Sequence, residues 1–496
     1  MLHNSLLRKF SSIRLTEQET NVFASLIDAA EALGKGTTLR AAGGWVRDKL
    51  LGNESCDIDI ALDNVPGDEF AQYLHEREKA SGKMSSFGVV KENPAQSKHI
   101  RTASFRFNGL DLDINNLRSE TYTDHSRIPE VQFAKHPSED ALRRDFTINA
   151  LYYNLNTQEV EDFTGTGLAD LDAGIVRTPL PASRTFVDDP LRVLRAIRFA
   201  TRFGFKLESD IREAWTHDDV REGLMNKVSR ERVGIEISKM MANDNAIDAI
   251  EILIESGLIH LILTPPENSE APSLAGVSKK DYAEWLKAWD SCRHDPEGLL
   301  RIVERSETCG FHETGIIFSY ALLLSELSIP DACEKAQLIT RLALKLSSAE
   351  CKGIGVVLGN IRNLREIIDS FATGADREDI AVRLGRLIRF TLKDNYMCTL
   401  KLALASDESI SVENIPWIFE QVHALVSEYD LEKCHEWKPI VDGSEIQKLF
   451  ALKPGKIIQD LLTIEFDMMF RGVRDRDEIL EKLRLSAPQC DCDLHD

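Results

Sequence analysis

The hexapeptide Asp57-Ile58-Asp59-Ile60-Ala61-Leu62 limits what this chain can fold into more than any other stretch. In an extended chain successive side chains alternate faces, so Asp57 and Asp59 share one face while Ile58, Ile60 and Leu62 share the other. The apolar face needs a core beneath it. The acidic face sets two like charges side by side in a residue type that strands disfavour, which points to a bound cation. A half-buried strand with a polar outer face is the alternative, and Asp-x-Asp alone leaves the two evenly matched.

The flanking sequence adds to the first reading. Thr37 to Ala42 reads as a strand that turns at Gly43-Gly44 into a short helix ending near Leu51-Gly52. Two glycines between strand and helix let backbone N–H groups approach a phosphate, with the helix start and Arg47 adding positive potential. A tight turn with a surface arginine is the plainer alternative. Upstream, Thr16-Glu17-Gln18-Glu19 is a capping box followed by apolar residues at helical spacing. Downstream, an amphipathic helix from about Asp68 to Arg77 leads into a polar loop over 78–98 with at most one strand, near Phe87 to Val90. Asn108-Gly109 joins two strand-like runs, His99 to Phe107 and Leu110 to Leu117, as a hairpin. On the return strand Asp111 and Asp113 share a face; Asp113 offers a third carboxylate, whereas Asp111 reads as solvent-exposed. A further hairpin passes through Tyr152, Tyr153 and Val160.

From Asp188 onward the periodicity is helical, broken by a proline-bearing loop from Thr264 to Ser278 and resumed in runs such as Ile316 to Leu327, Ala336 to Leu346 and Ile380 to Leu392. At 496 residues the chain is long enough for about three domains at about 150 residues each. No run of eighteen apolar residues occurs, so nothing spans a membrane as a helix. The nine cysteines are scattered, which argues for a reducing compartment without a disulfide frame or zinc site. A net charge of −21 disfavours non-specific coating of nucleic acid, so a polynucleotide partner must be held by local arginine clusters. Residues 1–16 lack Asp and Glu but hold Arg8, Lys9 and Arg14, which reads either as a short mitochondrial presequence or as a ragged terminus.

The helix after Asp188-Asp189-Pro190 carries Arg192, Arg195, Arg198 and Arg202 on one side and Val193, Leu194, Ile197 and Ala200 roughly opposite. No acid lies on the helix beyond its first turn, so these arginines need partners elsewhere. Asp189 and Arg192 stand three residues apart. An Asp acceptor beside an Arg fork can mimic a Watson–Crick edge, accepting from the exocyclic amine of C or A and donating to the ring acceptors. G and U carry a carbonyl there and would be rejected. An i,i+3 ion pair between the two is the simpler alternative.

In this order, Gly43-Gly44-x-Val46-Arg47-Asp48-x-Leu50-Leu51-Gly52, Asp57-x-Asp59, Arg143-Arg144-Asp145-Phe146-Thr147-x-Asn149-Ala150 and Asp189-Pro190-Leu191-Arg192 resemble the motifs of the class II tRNA nucleotidyltransferases, the CCA-adding enzymes of the polymerase beta superfamily, eukaryotic type. Arg230-Glu231-Arg232 resembles the family's next helix motif. Lys438-Pro439 through Asp442-Gly443 and Lys453-Pro454-Gly455 resemble its tail. Asp188 stands where bacterial relatives carry Glu.

The resemblance implies an elongated, seahorse-like molecule: an α/β head with a mixed sheet, then all-α neck, body and tail. It implies a leader over 1–16, a catalytic head over 17–155, a neck for nucleobase recognition over 156–230, a helical body over 231–336 and a tRNA-binding tail over 337–496. It further implies that Asp57 and Asp59 bind two Mg2+ ions with Asp113 as the third carboxylate. Gly43, Gly44, Arg47, Arg144, Asp145 and Asn149 would lie at the ribose and triphosphate; Asp189 and Arg192, followed by Arg195 and Arg198, would lie at the base. CTP and ATP are the implied substrates and tRNA the partner, without DNA or membrane, for a monomer or weak homodimer in the cytoplasm, the mitochondrion or both, with the nucleus a further option. Rival readings are an enzyme adding only CC or only A, a poly(A) polymerase, and a catalytically silent RNA-binding protein on the same fold. The stretch from about Lys79 to Arg101, where the family carries its specificity loop, leans toward full CCA addition.

Overall fold

The computed structural model describes residues 13–55, 57–80, 86–90, 102–107, 109–123, 126–264, 296–309, 315–324 and 332–487. Most of the leader, most of the loop over 79–101, the proline-bearing loop after Thr264 and the Cys490-Asp491-Cys492 terminus lie outside the described residues. The chain divides into two compact units, Met1–Met240 with Ile252–Ile262, and Met241–Glu251 with Leu263–Asp496.

The first unit opens on helix α1 (Glu17–Leu33), whose start is the expected capping box: Thr16 Oγ1 accepts from the Glu19 amide, and Glu19 accepts from the Thr16 amide. Glu19 does more than cap. Its buried carboxylate also accepts from Trp45 Nε1 at 2.9 Å and pairs with Lys49 at 2.9 Å. The helix start is thereby tied to the short helix α2 (Gly44–Leu50) that follows strand β1 (Leu39–Ala42).

Strand β2 (Asp57–Leu62) alternates as its sequence demands, with both aspartates outward and Ile58 and Ile60 wholly buried. After α3 (Gly67–Ala80) come β3 (Ser86–Val90), β4 (Thr102–Phe107) and β5 (Leu110–Asn116), the last two joined through Gly109 at φ +83°. Strands β8 (Leu151–Asn154) and β9 (Glu159–Asp162) complete a seven-stranded mixed sheet of order β3-β4-β5-β2-β1-β8-β9. The β2–β5 pairing is parallel and sets Asp57 beside Asp111 and Asp59 beside Asp113; the other pairings are antiparallel. The side chain of buried Asn116 accepts from the Gly67 amide at 2.8 Å and donates to the Val65 carbonyl at 2.6 Å, fixing the far end of β5 to the loop after β2.

A separate antiparallel ribbon, β6 (Arg118–Thr123) with β7 (Ser126–Phe133), follows. Periodicity gives no sign of it, because Arg-Ser-Glu-Thr-Tyr-Thr has no apolar face and the return strand contains Pro129. Helix α4 (Pro137–Leu142) and a single 3-10 turn (Thr147–Asn149) lead into β8. Beyond the sheet come α5 (Gly167–Ala173), β10 (Ile175–Val176), α6 (Ala182–Asp188), α7 (Leu191–Phe203), β11 (Lys206–Leu207), α8 (Ser209–Ala214), α9 (Asp218–Asn226) and α10 (Arg230–Met241).

The second unit is helical. Its longest element, Ser348–Ala372, starts at a Ser347 capping box, and its core gathers Leu364, Ile380, Leu384, Leu400, Phe466 and Phe470. Asp442 caps the helix Gly443–Leu449, and Lys453-Pro454-Gly455 leads directly into the helix Lys456–Phe470. Cys309, Cys351, Cys398 and Cys434 are free thiols. No helix among the described residues is long and apolar enough to cross a membrane. The mixed-sheet head followed by helices is the architecture expected from the sequence.

Candidate active site

Gly43 ends β1 at φ +74°, a backbone conformation that side chains resist, and a Cβ there would lie 2.8 Å from Arg144 Nη1. The turn therefore needs glycine twice over, for its backbone and for the guanidinium packed on it. Gly43→Ala is expected to strain the backbone by about 1–3 kcal/mol and to displace Arg144; chemical unfolding would record the strain. Arg47, expected as a phosphate donor, is largely committed to the protein. It pairs with Asp48 at 2.7 Å, donates to Asn149 Oδ1 and lies over the rings of Phe199 and Phe203 at 5.1 and 4.7 Å.

Arg144 is held by a buried carboxylate that the sequence reading passed over. Asp140 Oδ2 accepts from Arg144 Nε and Nη2 at 3.1 and 3.0 Å and from the Tyr152 hydroxyl at 2.6 Å; Asp140 Oδ1 accepts from Arg143. Burial alone would push the Asp140 carboxyl up, but Arg144, Arg143 and Tyr152 hold it well below the usual carboxylate range. The spacing from Asp140 to Arg144, one helical turn, was the available signal. Asp145 is equally committed: Oδ2 accepts from Arg195 Nε and Nη2 at 2.8 and 2.6 Å, and Oδ1 accepts from Asn149 Nδ2 at 3.0 Å. Against the upward push of burial, Arg195, Asn149 and Arg192 bring its pKa down to about 2.

The carboxylate edge lies across the turn from these groups. Asp59 is open to solvent along the strand yet sits low among the surrounding walls. That enclosure, added to the charges of Asp113 and Asp57, raises its pKa despite the opposing charge of Arg144. Asp113 is half-buried and accepts from Ser104 Oγ at 2.6 Å. Asp111 is exposed beside Arg106, as expected. Among the described residues no group of three or more His, Cys, Asp and Glu side chains is gathered so as to hold a metal ion.

The arginines of α7 find their partners on α10 and on the 145–149 turn. Glu236 accepts from Arg198 Nε at 2.5 Å and from Arg195 Nη1 at 3.3 Å, so these two arginines are paired rather than solvated, whereas Arg202 is exposed. Phe199 lies beneath it, with the Arg198 guanidinium 4.1 Å from the ring centre. Asp189 and Arg192 do not pair with each other. Asp189 accepts from Arg232 Nη2 at 2.9 Å, and Arg192 donates through Nη2 to the Arg143 carbonyl at 2.7 Å.

One cavity of about 590 Å³ joins these parts. It is lined by Gly43, Gly44, Arg47, Asp59, Arg144, Asp145, Asn149, Asp189, Arg192, Arg195 and Arg198, every expected nucleotide residue together with one of the acidic edge. Asp57 and Asp113 are not in its lining; they flank Asp59 along and across the strand. Arg232 and Glu236 also line it and had no assigned place in the sequence reading. The Arg230-Glu231-Arg232 motif marked their helix without indicating which face it presents.

Residues 39–177 match the family described as "Poly A polymerase head domain", and residues 204–271 match "Probable RNA and SrmB- binding site of polymerase A". With the glycine turn and the acidic strand edge, this defines the class: a polymerase-beta-type nucleotidyltransferase head followed by a helical region. Over nearly its whole length the chain is 32% identical to the mitochondrial CCA tRNA nucleotidyltransferase of Saccharomyces cerevisiae, covering 94% of this chain and 93% of that one. The tRNA nucleotidyltransferase cca1 of Schizosaccharomyces pombe is also 32% identical, with 91% and 92% covered. The chain belongs to the CCA tRNA nucleotidyltransferases. The Thermotoga maritima CCA-adding enzyme complexed with tRNA-CCA shares the fold, at a TM-score of 0.61 and 24% identity over 97% of this chain and 98% of that one.

Proposed function

We propose that this enzyme adds CCA to the 3′ end of tRNA without a nucleic-acid template, taking CTP and ATP and releasing pyrophosphate. The observation that carries the reading is one cavity lined together by the Gly43-Gly44 turn, by Asp59 of the acidic edge and by Asp189 with Arg192. Gly43, Gly44 and Arg144 orient the triphosphate: the first two through a backbone stripped of side chains, the third through a guanidinium whose angle Asp140 and Tyr152 set. Asp145 and Asn149 place the ribose, and Arg195 and Arg198 keep Asp145 and the α7 face rigid behind it. Asp189 accepts from the amine of C or A. Arg192 spends one donor on the Arg143 carbonyl and, with five N–H groups, has others for the ring acceptors.

The donor chemistry of the acidic edge would suit two Mg2+ ions. Asp57 and Asp59, at alternate positions of β2, and Asp113, opposite Asp59 on β5, supply only hard oxygen donors, and the raised pKa of Asp59 reflects in part a repulsion that a cation would relieve. Magnesium held there supplies acidification of the attacking 3′-hydroxyl and neutralisation of charge on the phosphates. The division of labour proposed along the chain is a catalytic head over 17–155, base recognition over 156–230 extended by the first turns of α10, a helical body to 336 and a tRNA-binding tail beyond. The relatives named as mitochondrial support action in the mitochondrion, alone or together with the cytoplasm.

The test is product length on tRNA lacking its 3′ terminus. CTP alone should give two additions and stop, ATP alone none, and both together the full CCA. A stop after CC with both nucleotides present, or runs of A from ATP alone, would replace this reading by a CC-adding enzyme or a poly(A) polymerase.

A further inference from the structure

Among the described residues the Asp189 carboxylate accepts hydrogen bonds from Arg232 and from the Leu191 amide. Its Oδ2 accepts from Arg232 Nη2 at 2.9 Å with Oδ1 3.5 Å from Nη1, and Oδ1 also lies 3.3 Å from the Leu191 amide nitrogen. Arg232 comes from α10, lines the catalytic cavity and stands one helical turn before Glu236, the residue that pairs with Arg195 and Arg198. A single face of α10 therefore holds both the arginines of α7 and the aspartate that precedes it. Asp189 and Arg232 are both only partly exposed, with side-chain accessibilities of 18% and 36%.

We propose that Arg232 is a specificity-determining positioning residue: its guanidinium fork holds the Asp189 carboxylate in one orientation, as an acceptor aimed at the exocyclic amine of C or A. The inference rests on the reading of Asp189 as the base acceptor. Each carboxylate oxygen can accept about two hydrogen bonds. The fork and the Leu191 amide fill Oδ1 and take one of the two places on Oδ2, leaving one acceptor site, on Oδ2. A donor group on the base completes the set. A carbonyl in the same place, as in U or G, meets only lone pairs.

Without the fork the carboxylate rotates and is hydrated in its place. Water both donates and accepts, so a bridging water serves a 4-amino and a 4-oxo pyrimidine alike and discrimination is lost. Arg232 thus acts on selectivity rather than on bond making.

The experiment compares incorporation of CTP and UTP into tRNA lacking its 3′ terminus, using the full chain. The variants are Arg232→Ala, Arg232→Lys, Asp189→Ala and the Arg232→Ala/Asp189→Ala double. In Arg232→Ala the CTP:UTP ratio of kcat/KM is expected to fall about tenfold, mainly through a higher KM for CTP. Arg232→Lys falls between, because an ammonium keeps the charge but not the planar fork. In the Asp189→Ala background, removing Arg232 changes the ratio no further. Equal losses for CTP and UTP in Arg232→Ala, the mark of damaged folding, would overturn the inference; so would an unchanged ratio or additive losses in the double variant. If Asp189→Ala itself keeps the wild-type ratio, the base-acceptor reading fails and this inference fails with it. A ratio that collapses in Asp189→Ala but not in Arg232→Ala leaves that reading standing and sinks this one alone.

Discussion

Asp59→Ala is expected to reduce nucleotide incorporation about a thousandfold or more, the scale of several kcal/mol of transition-state stabilisation, while the protein melts no earlier than the wild type. The two halves of this expectation have one cause. Asp59 stands low in the cleft beside Asp113 and Asp57, and enclosure and repulsion together raise its pKa. A carboxyl whose folded pKa is raised weakens the fold at neutral pH, where it is charged. The penalty vanishes as pH falls through the folded pKa, and alanine removes it at every pH. The wild type therefore carries a local instability that serves the reaction, a familiar opposition of stability and activity. Incorporation of labelled CTP together with thermal unfolding would test both halves. Near-wild-type incorporation would remove the acidic edge from the mechanism.

The second large effect is on stability. Glu236 and Arg198 are almost wholly enclosed, with 5% and 7% of their side chains exposed. Glu236→Ala leaves a buried guanidinium unpaired, and the loss expected is about 3 kcal/mol, in the range seen when one partner of a buried ion pair is removed. For a unit of this size that lowers the melting temperature by roughly 5–10 °C. Replacing both partners, Glu236→Leu with Arg198→Met, is expected to recover most of it, since two apolar groups can fill the space without an orphaned charge. Thermal and urea unfolding of the single and double variants check this. A double variant as unstable as Glu236→Ala would show that the pair's surroundings, rather than the pair, carry the stability.

The difference between these predictions reflects how the site could be read. The acidic edge was legible because strand alternation is local: Asp57 and Asp59 must share a face whatever else the chain does. Gly43-Gly44 was legible for the same reason, since a turn needs its glycines in place. The hairpin at Asn108-Gly109 brought Asp113 into consideration, and the cavity gathers the residues expected at the nucleotide, with Asp59 but not Asp57 or Asp113. The pairing of the arginines was not legible. Arg195 and Arg198 visibly lacked acids on their own helix, but nothing local says that Glu236, 38 residues after Arg198, supplies one. Asp189 and Arg192 looked like partners by spacing, yet Arg232 and the Arg143 carbonyl take them separately. Ion pairs across the fold depend on how helices pack, and periodicity is silent about that. The β6–β7 ribbon escaped for a different reason, since polar strands leave no apolar pattern to find.

The pairing of β2 with β5 has a consequence in time as well as in space. These strands are parallel and come from residues 57–62 and 110–116, so their contact closes a long loop of chain, whereas β4–β5 and β8–β9 are neighbours that can zip from tight turns. Long-range parallel pairing is among the slow events of folding. A chain that has formed its hairpins but not this contact already possesses every aspartate of the site, yet Asp59 and Asp113 have not met. Catalytic competence is therefore acquired only with this non-local contact, and not with the hairpins that form from neighbouring strands.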